Sequence, residues 1–519
     1  MSMSLRGPLL AAIFSTGLAG VLATPARAET LADAIALAYD SNPTLQAQRA
    51  TQRALDENYV QARTGWRPTV GLQGVVTDTE SRTPRAARGP STTLIDTNGD
   101  GIPDTVVAAG DGISSRTIGS AGVSFSQPLW TGGRTAAAVS AAEGDIMAGR
   151  ENLRRIEAQI LSTVIQAYSD VRRDQEALRI RQENVAVLQR QLEESNARFE
   201  VGEITRTDVA QSQSRLAAAH AQHQSAVAQL AISRANYASV VGQNPGELAP
   251  EPSLAFLLPG NVDDAFTVAE QNSPLLRAQQ FTEKASRARV AGARAERMPN
   301  VSLRTTFGFS GNASPYDGSL WSRNVQTQAT VTVPLFTGGL TSSRIRQSIE
   351  RNNVDRINIE TQRRAVLQTI TQFWNQLVAA RANIGSTAEQ VRAAKIAAEG
   401  TRQEQQVGLR TTLDVLNAEQ ELRNAELSQV SATRDEYVAA STVLAAMGRL
   451  EGKNLIPSVR QYDSKANFRK MRMTWGWVPW EEPIGIVDRA LTIAPAPQPK
   501  EKPTEAPIAP GLTPPPAKK

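Results

Sequence analysis

The chain has no cysteine in 519 residues and only two histidines, His220 and His223. An exported protein without disulfides must be held by packing or by subunit assembly. Aromatic residues are only 5% of the composition, while Ala, Gln, Arg and Glu abound, which is the usage of long helices with narrow contact seams. Charge of one sign is lacking too: 56 Lys and Arg stand against 51 Asp and Glu, interspersed, for a net of +5. Without a basic stripe carrying interleaved aromatics, nucleic acid is not an expected partner. No nucleophile elbow, phosphate-binding loop or zinc motif occurs, so catalysis has no support. The two histidines, three positions apart with no acidic cluster beside them in sequence, read as solvated side chains, not metal ligands. Beyond Ala28 no run of 18 apolar residues exists. That excludes a transmembrane helix but leaves a β-barrel open, because barrel strands alternate and escape hydropathy scans.

What is present begins with an export signal. Arg6, the apolar run Leu9 to Leu22 and the small-x-small site Ala26-Arg27-Ala28 make residues 1–28 a signal peptide cleaved before Glu29. The mature chain is then written twice. Gln127-Pro128-Leu129-Trp130-Thr131-Gly132-Gly133 recurs as Val333-Pro334-Leu335-Phe336-Thr337-Gly338-Gly339, 206 positions on. The same offset relates Val201-Gly202 to Val407-Gly408, Asp208-Val209 to Asp414-Val415, and Tyr168 to Trp374. Upstream, Arg67-Pro68 matches Met298-Pro299 at an offset of 231, so the first half carries about 25 extra residues between Pro68 and Pro128. Each half reads helix, strand, strand, helix, helix. The expected organisation is a first repeat at 29–242, a linker at 243–262, a second repeat at 263–450 and an extension at 451–519.

The strands alternate. Val301, Leu303, Thr305, Phe307 and Phe309 are interleaved with Ser302, Arg304, Thr306, Gly308 and Ser310, and Val325 to Val333 repeats the pattern. A weaker pair, Val70 to Val75 and Ala121 to Gln127, occupies the first half. Runs of about ten residues with one apolar face have the length of tilted membrane strands. Four strands cannot close, and an open edge in lipid leaves backbone groups unsatisfied, so spanning requires oligomerisation. Two chains would give a filled eight-stranded barrel, three a twelve-stranded one with room for a lumen. Between Arg134 and Glu200 there is no proline, and at ~1.5 Å per residue one helix over that stretch would be ~100 Å long. Leu178, Val185, Leu188, Leu192 and Phe199 keep a heptad-like seam, as do Leu367, Ile370, Trp374 and Leu377. Gly202 and Gly408 supply the turns, and Thr207 and Thr411 lie at the start of the returning helices. Seams this narrow suit a layer or a hollow barrel.

The paired halves, the Pro-Leu-aromatic-Thr-Gly-Gly elements at 128–133 and 334–339, and Val407-Gly408-x-Arg410-Thr411-x-x-Asp414-Val415-Leu416-Asn417-Ala418 resemble the TolC family over roughly residues 29–450. The resemblance implies a mainly helical chain with transmembrane strands. Three copies would form a twelve-stranded barrel in outer-membrane lipid, continued by a periplasmic α-helical barrel. It implies docking to a periplasmic adaptor protein and an inner-membrane ABC or other export pump. Pro128, Gly132, Gly133, Pro334, Gly338 and Gly339 would mark where strands become helices. The mouth would lie at Gly202 and Gly408, with Asp414 and Asn417 at the constriction. Many relatives are acidic at both of the last two positions, so one ring of three carboxylates is expected here. Arg410 and Asp208 would latch neighbouring hairpins, and Gln405 stands where some relatives have tyrosine.

Other features fall outside that pattern. Asp96, Asn98, Asp100 and Asp104 lie in the insertion at calcium-loop spacing, but Val107 occupies the position of the usual bidentate Glu. A calcium site in an external loop and a plain acidic surface loop both fit; no other cofactor is expected. Trp475, Trp477 and Trp480 follow Lys470 and Arg472, either touching the membrane interface or packing on the helical body. Ala494 to Lys519, rich in Pro, Ala and Lys, reads as a disordered periplasmic tail. The expected function is a passive exit duct, leaning to type I protein secretion, with drug or metal efflux as the alternative. A trimeric surface adhesin is the competing class, though adhesins end in a C-terminal barrel and here strands sit mid-chain in both halves.

Overall fold

The computed structural model describes residues 28–82, 93–95, 99, 101–102, 105–107, 113–314, 316–456, 461–472 and 477–490. Each half opens with two helices where the sequence suggests one. Helix α1 (Leu31–Ser41) is capped by Thr30 and Asp33 and stops at Asn42, whose side chain accepts from the N–H groups of Thr44 and Leu45 to start α2 (Pro43–Arg63). Pro43 has no N–H to continue α1 but fits the first turn of α2. Ser273-Pro274 makes the same break between α5 (Val262–Asn272) and α6 (Pro274–Ala295).

Helices α3 (Arg134–Glu200) and α7 (Leu340–Gln406) each run 67 residues without interruption. They reverse at Gly202 and Gly408, with φ of 78° and 77°, a left-handed conformation that suits glycine. The returning helices α4 (Arg206–Val241) and α8 (Thr412–Ala446) both begin with a capping box, Thr205 with Asp208 and Thr411 with Asp414. Thr205, not Thr207, is thus the start signal of α4. Helices α2, α3, α6 and α7 lie side by side at one end, and the antiparallel pairs α3–α4 and α7–α8 form the other. The main core sits where these meet: Tyr168, Val164, Tyr237, Ile370, Val443 and Leu444 are all buried there, each contributing about 1.5–3 kcal/mol by leaving water. Further out only thin seams remain, Leu188 with Leu216, Ala219 and Leu416, and Ala394 with Ala398, Leu422 and Ala425. Phe199, placed on the first seam by its spacing, is exposed near the hairpin tip.

The sheet lies at the far end of α2, α3, α6 and α7. Strands β1 (Thr69–Arg82), β4 (Ile113–Trp130), β5 (Asn300–Ser314) and β6 (Ser322–Thr332) form one antiparallel sheet in the order β1-β4-β5-β6. The first pair is longer than its alternation suggests, because it continues past the apolar stretch into Thr, Ser and charged residues. Within the insertion, β2 (Thr93–Ile95) pairs with β3 (Thr105–Val107) as a separate hairpin. Among the described residues no strand pairs with the outer edges of β1 and β6, and no helix is long and apolar enough to cross a membrane.

After α8 the chain runs back along α2 through short helices α9 (Gly452–Leu455) and α10 (Ala466–Met471) to α11 (Glu481–Ala490). Phe468 packs edge-on against Tyr59 of α2, and α11 reaches the base of the sheet, where Trp480 donates to Gln127 of β4 at 3.2 Å.

Candidate functional site: the barrel strands, their junctions and the hairpin tips

Strand alternation divides the sheet into two faces. Val70, Leu72 and Val76 share one with Val123, Phe125, Phe307, Val325 and Val331, set by the ladder registers. Most of these apolar side chains are exposed on the single chain, so the face needs an apolar surrounding. The other face carries Gln73, Ser120, Ser124, Thr306 and Gln328, groups that hydrate readily.

At the junctions Gly132 and Gly133 have φ of 67° and 86°, and Gly338 and Gly339 60° and 85°. A side chain at Gly132 would meet the Met298 Cβ at 2.4 Å. Pro334 follows the end of β6, as expected of a residue that cannot donate to the ladder. Pro128 departs from that reading: β4 continues to Trp130, with a register shift between the two.

The sequence did not reveal what completes the first junction. Helix α3 has glycine at its N-cap, and the local side-chain cap is the Thr131 hydroxyl, which accepts from the Thr135 N–H at 3.1 Å. The buried Asp488 of α11 completes the cap, accepting from the N–H of Thr131 at 3.0 Å, of Gly133 at 2.9 Å and of Ala136 at 3.3 Å, and from the Trp66 indole at 3.3 Å. Beside it, buried Glu481 accepts from Arg63 at 2.5 Å and Arg67 at 3.0 Å. No local motif signals these contacts; they join residues more than 350 positions apart. The second junction is bare by comparison: Leu335 and Phe336 are 92% and 90% exposed.

At the tips the named residues separate. Asp414 is partly exposed, and hydrogen bonds from the Thr411 hydroxyl and backbone hold its carboxyl below the usual range. Asn417 accepts from Arg215 of α4 at 2.9 Å, tying the two hairpins together. Arg410 pairs with Glu404 of its own hairpin at 2.9 Å, and Asp208 is held in the Thr205 box. Within one protomer the structure does not join Arg410 to Asp208. Gln405 is buried and donates to the Thr412 hydroxyl at 3.4 Å. The calcium-loop residues Asp96, Asn98, Asp100 and Asp104 lie outside the described residues, as do Trp475 and residues 491–519. Among the described residues no group of three or more side chains could hold a metal ion.

The arrangement is that of an outer-membrane duct: membrane-length strands, turned sharply into ~100 Å helices. The family model for outer membrane efflux proteins matches residues 34–243 and 266–449. The chain is 32% identical to the outer membrane efflux protein BepC of Brucella suis over 87% of its length and 92% of that protein. It is 26% identical to the alkaline protease secretion protein AprF of Pseudomonas aeruginosa, over 56% of this chain and 61% of that one. In structure it resembles the CmeC outer membrane channel of Campylobacter jejuni, with a TM-score of 0.67 at 15% identity over 85% of this chain and 89% of that one. The chain belongs to the outer membrane efflux protein family. It is an outer-membrane channel protein with a large periplasmic helical portion.

Proposed function

We propose that three copies of this chain form a passive exit duct, fed by an inner-membrane pump through a periplasmic adaptor. The observation that carries the reading is the four-stranded sheet with an apolar face and two free edges. In lipid those edges must be paired, and three copies close as twelve strands around a water-filled lumen. The exposed second junction supports the same assembly, since its repeat-related counterpart is covered within the chain. At the other end, Asp414 would present three carboxylates to the periplasmic mouth and favour cations there. Arg410 and Asp208 are proposed to meet only across neighbouring hairpins of the assembly. The 96–104 loop is proposed to bind calcium weakly on the external side.

For cargo we favour protein secretion, supported by similarity to AprF, whose name specifies secretion of a protease. Small-molecule efflux is the second reading, supported by the higher identity and coverage of BepC. The test is purification from outer membranes, light scattering of the detergent complex and planar-bilayer conductance. A trimer that conducts is expected; a folded monomer, extraction without detergent, or a silent bilayer would overturn the duct. A deletion strain that loses an exported protein but keeps its drug tolerance supports the first cargo reading, and the reverse supports the second.

A further inference from the structure

The ladder registers assign every charged side chain of the four-stranded sheet to a face. Asp78, Glu80 and Arg82 of β1 and Arg323 of β6 share the apolar face, all at the end remote from the helices, where headgroups and water would meet them. The polar face holds two charged side chains, Arg116 and Arg304, and both are positive. Arg304 stands opposite Ser126 on β4 and Gln328 on β6, four residues from the helix-side end of β5. It lines a hollow of about 250 Å³ with Gln73, Ser124 and Thr306, floored by Gly122 and Gly308. Arg116 lies nearer the outer rim, donating to the Asn312 side chain at 3.4 Å. Neither arginine forms an ion pair among the described residues, and no carboxylate shares their face.

We propose that Arg304, assisted by Arg116, makes the barrel section of the duct prefer anions, opposite in sign to the Asp414 mouth. The proposal rests on the trimeric duct described above. Three copies place a ring of guanidinium groups on the wall of a water-filled lumen bounded by low-dielectric lipid and protein, where field lines are focused on the path. Screening confines the effect to about 8 Å at physiological salt, so each ring acts on what passes it and not on the far mouth. Guanidinium is never deprotonated in this setting, and its donor fork suits carboxylate and phosphate groups. The polar wall around it offers hydroxyls and amides, which conduct either sign, so the arginines decide. Anionic cargo, or anionic groups on larger cargo, would be drawn through the last section of the path.

The measurement is the reversal potential of purified trimers in planar bilayers under a KCl gradient, for wild type, R304Q, R304K and R116Q. R304Q is expected to lower the chloride-to-potassium permeability ratio by on the order of twofold or more. R304K is expected to keep the wild-type ratio, and R116Q to shift it in the same direction as R304Q. A conducting R304Q channel with the wild-type ratio would overturn the inference, and so would R304K moving as far as R304Q. A wild-type trimer that does not conduct would instead remove the duct itself.

Discussion

The Asp488 carboxylate accepts a hydrogen bond from the Gly133 backbone at 2.9 Å, across 355 positions of sequence. Helix α3 is thereby capped from outside, by the last described helix of the chain, at the point where the membrane strands end. Three backbone N–H groups, of Thr131, Gly133 and Ala136, share that carboxylate. A glycine N-cap permits the turn but supplies no acceptor, and Asp488 provides both an acceptor and a negative charge at the positive end of the helix dipole.

Replacing Asp488 by alanine leaves those donors buried without a partner. The expected loss is about 3 kcal/mol, since a hydrogen bond to a charged group is worth about 1.5–3 and buried donors add a desolvation cost. The trimer should dissociate at a lower temperature in mild detergent. An unchanged melting profile would show that water or another side chain can cap α3.

Glu481 and Glu482 are neighbours with different burdens. Glu481 is fully buried between Arg63 and Arg67, whereas Glu482 is half exposed and touches Arg63 alone. Glu481→Ala should cost about 3–5 kcal/mol by removing the buried carboxylate that two buried guanidinium groups share, and Glu482→Ala no more than about 1. Denaturant unfolding of the two variants side by side decides, and equal effects would refute the assignment.

The mouth should respond to acid. Hydrogen bonds from Thr411 hold the Asp414 carboxyl below its ordinary range. A group depressed in the folded state contributes its stabilisation above its unfolded value and loses it as pH falls through the folded one. The cation preference proposed for the mouth should therefore persist through the usual carboxylate range and disappear only below it. Thr411→Ala should move that loss to higher pH. Selectivity recorded against pH for both proteins tests this; coincident curves would detach Asp414 from Thr411 or from the path.

Arg215 and Asn417 join α4 to α8 within one protomer, while Arg410 holds only Glu404. Arg215→Ala should raise the open fraction of single channels by up to about fivefold, the limit for one weak exposed contact. Arg410→Ser should change it only if the assembly brings Arg410 to a neighbour's Asp208. Identical gating in Arg215→Ala and wild type would mean that the α4–α8 tie is not part of the closed state.

The chain's repeat was legible because the same physical problem is solved twice. Thr205 and Thr411 cap the returning helices in the same way, 206 positions apart, and Gly202 and Gly408 turn with nearly the same φ. Alternation located the second strand pair well and the first poorly, since the outer parts of β1 and β4 are Thr, Ser and charged residues without a clear apolar period. Each leading helix breaks at Asn42-Pro43 and Ser273-Pro274, where the proline cannot continue the helix before it although the helical pattern runs on through both sides.

Local chemistry therefore determined the elements by itself: proline-free heptads made the two 67-residue helices, glycine made the turns, and alternating residues made the strands. Tertiary structure alone decided which polar groups meet. The family resemblance offers Asp208 and Arg410 as partners across neighbouring hairpins, and within one protomer they are held by Thr205 and Glu404. The fold gives Asn417 to Arg215 and brings Glu481 and Asp488 from the C-terminal extension to the base of the sheet. The reason is geometric. Apart from the α3 N-terminus that Asp488 caps, caps and turns are satisfied within about four residues, whereas a charge at the end of a flexible side chain pairs with whatever packing brings within a few ångströms, and spacing along the chain does not encode that.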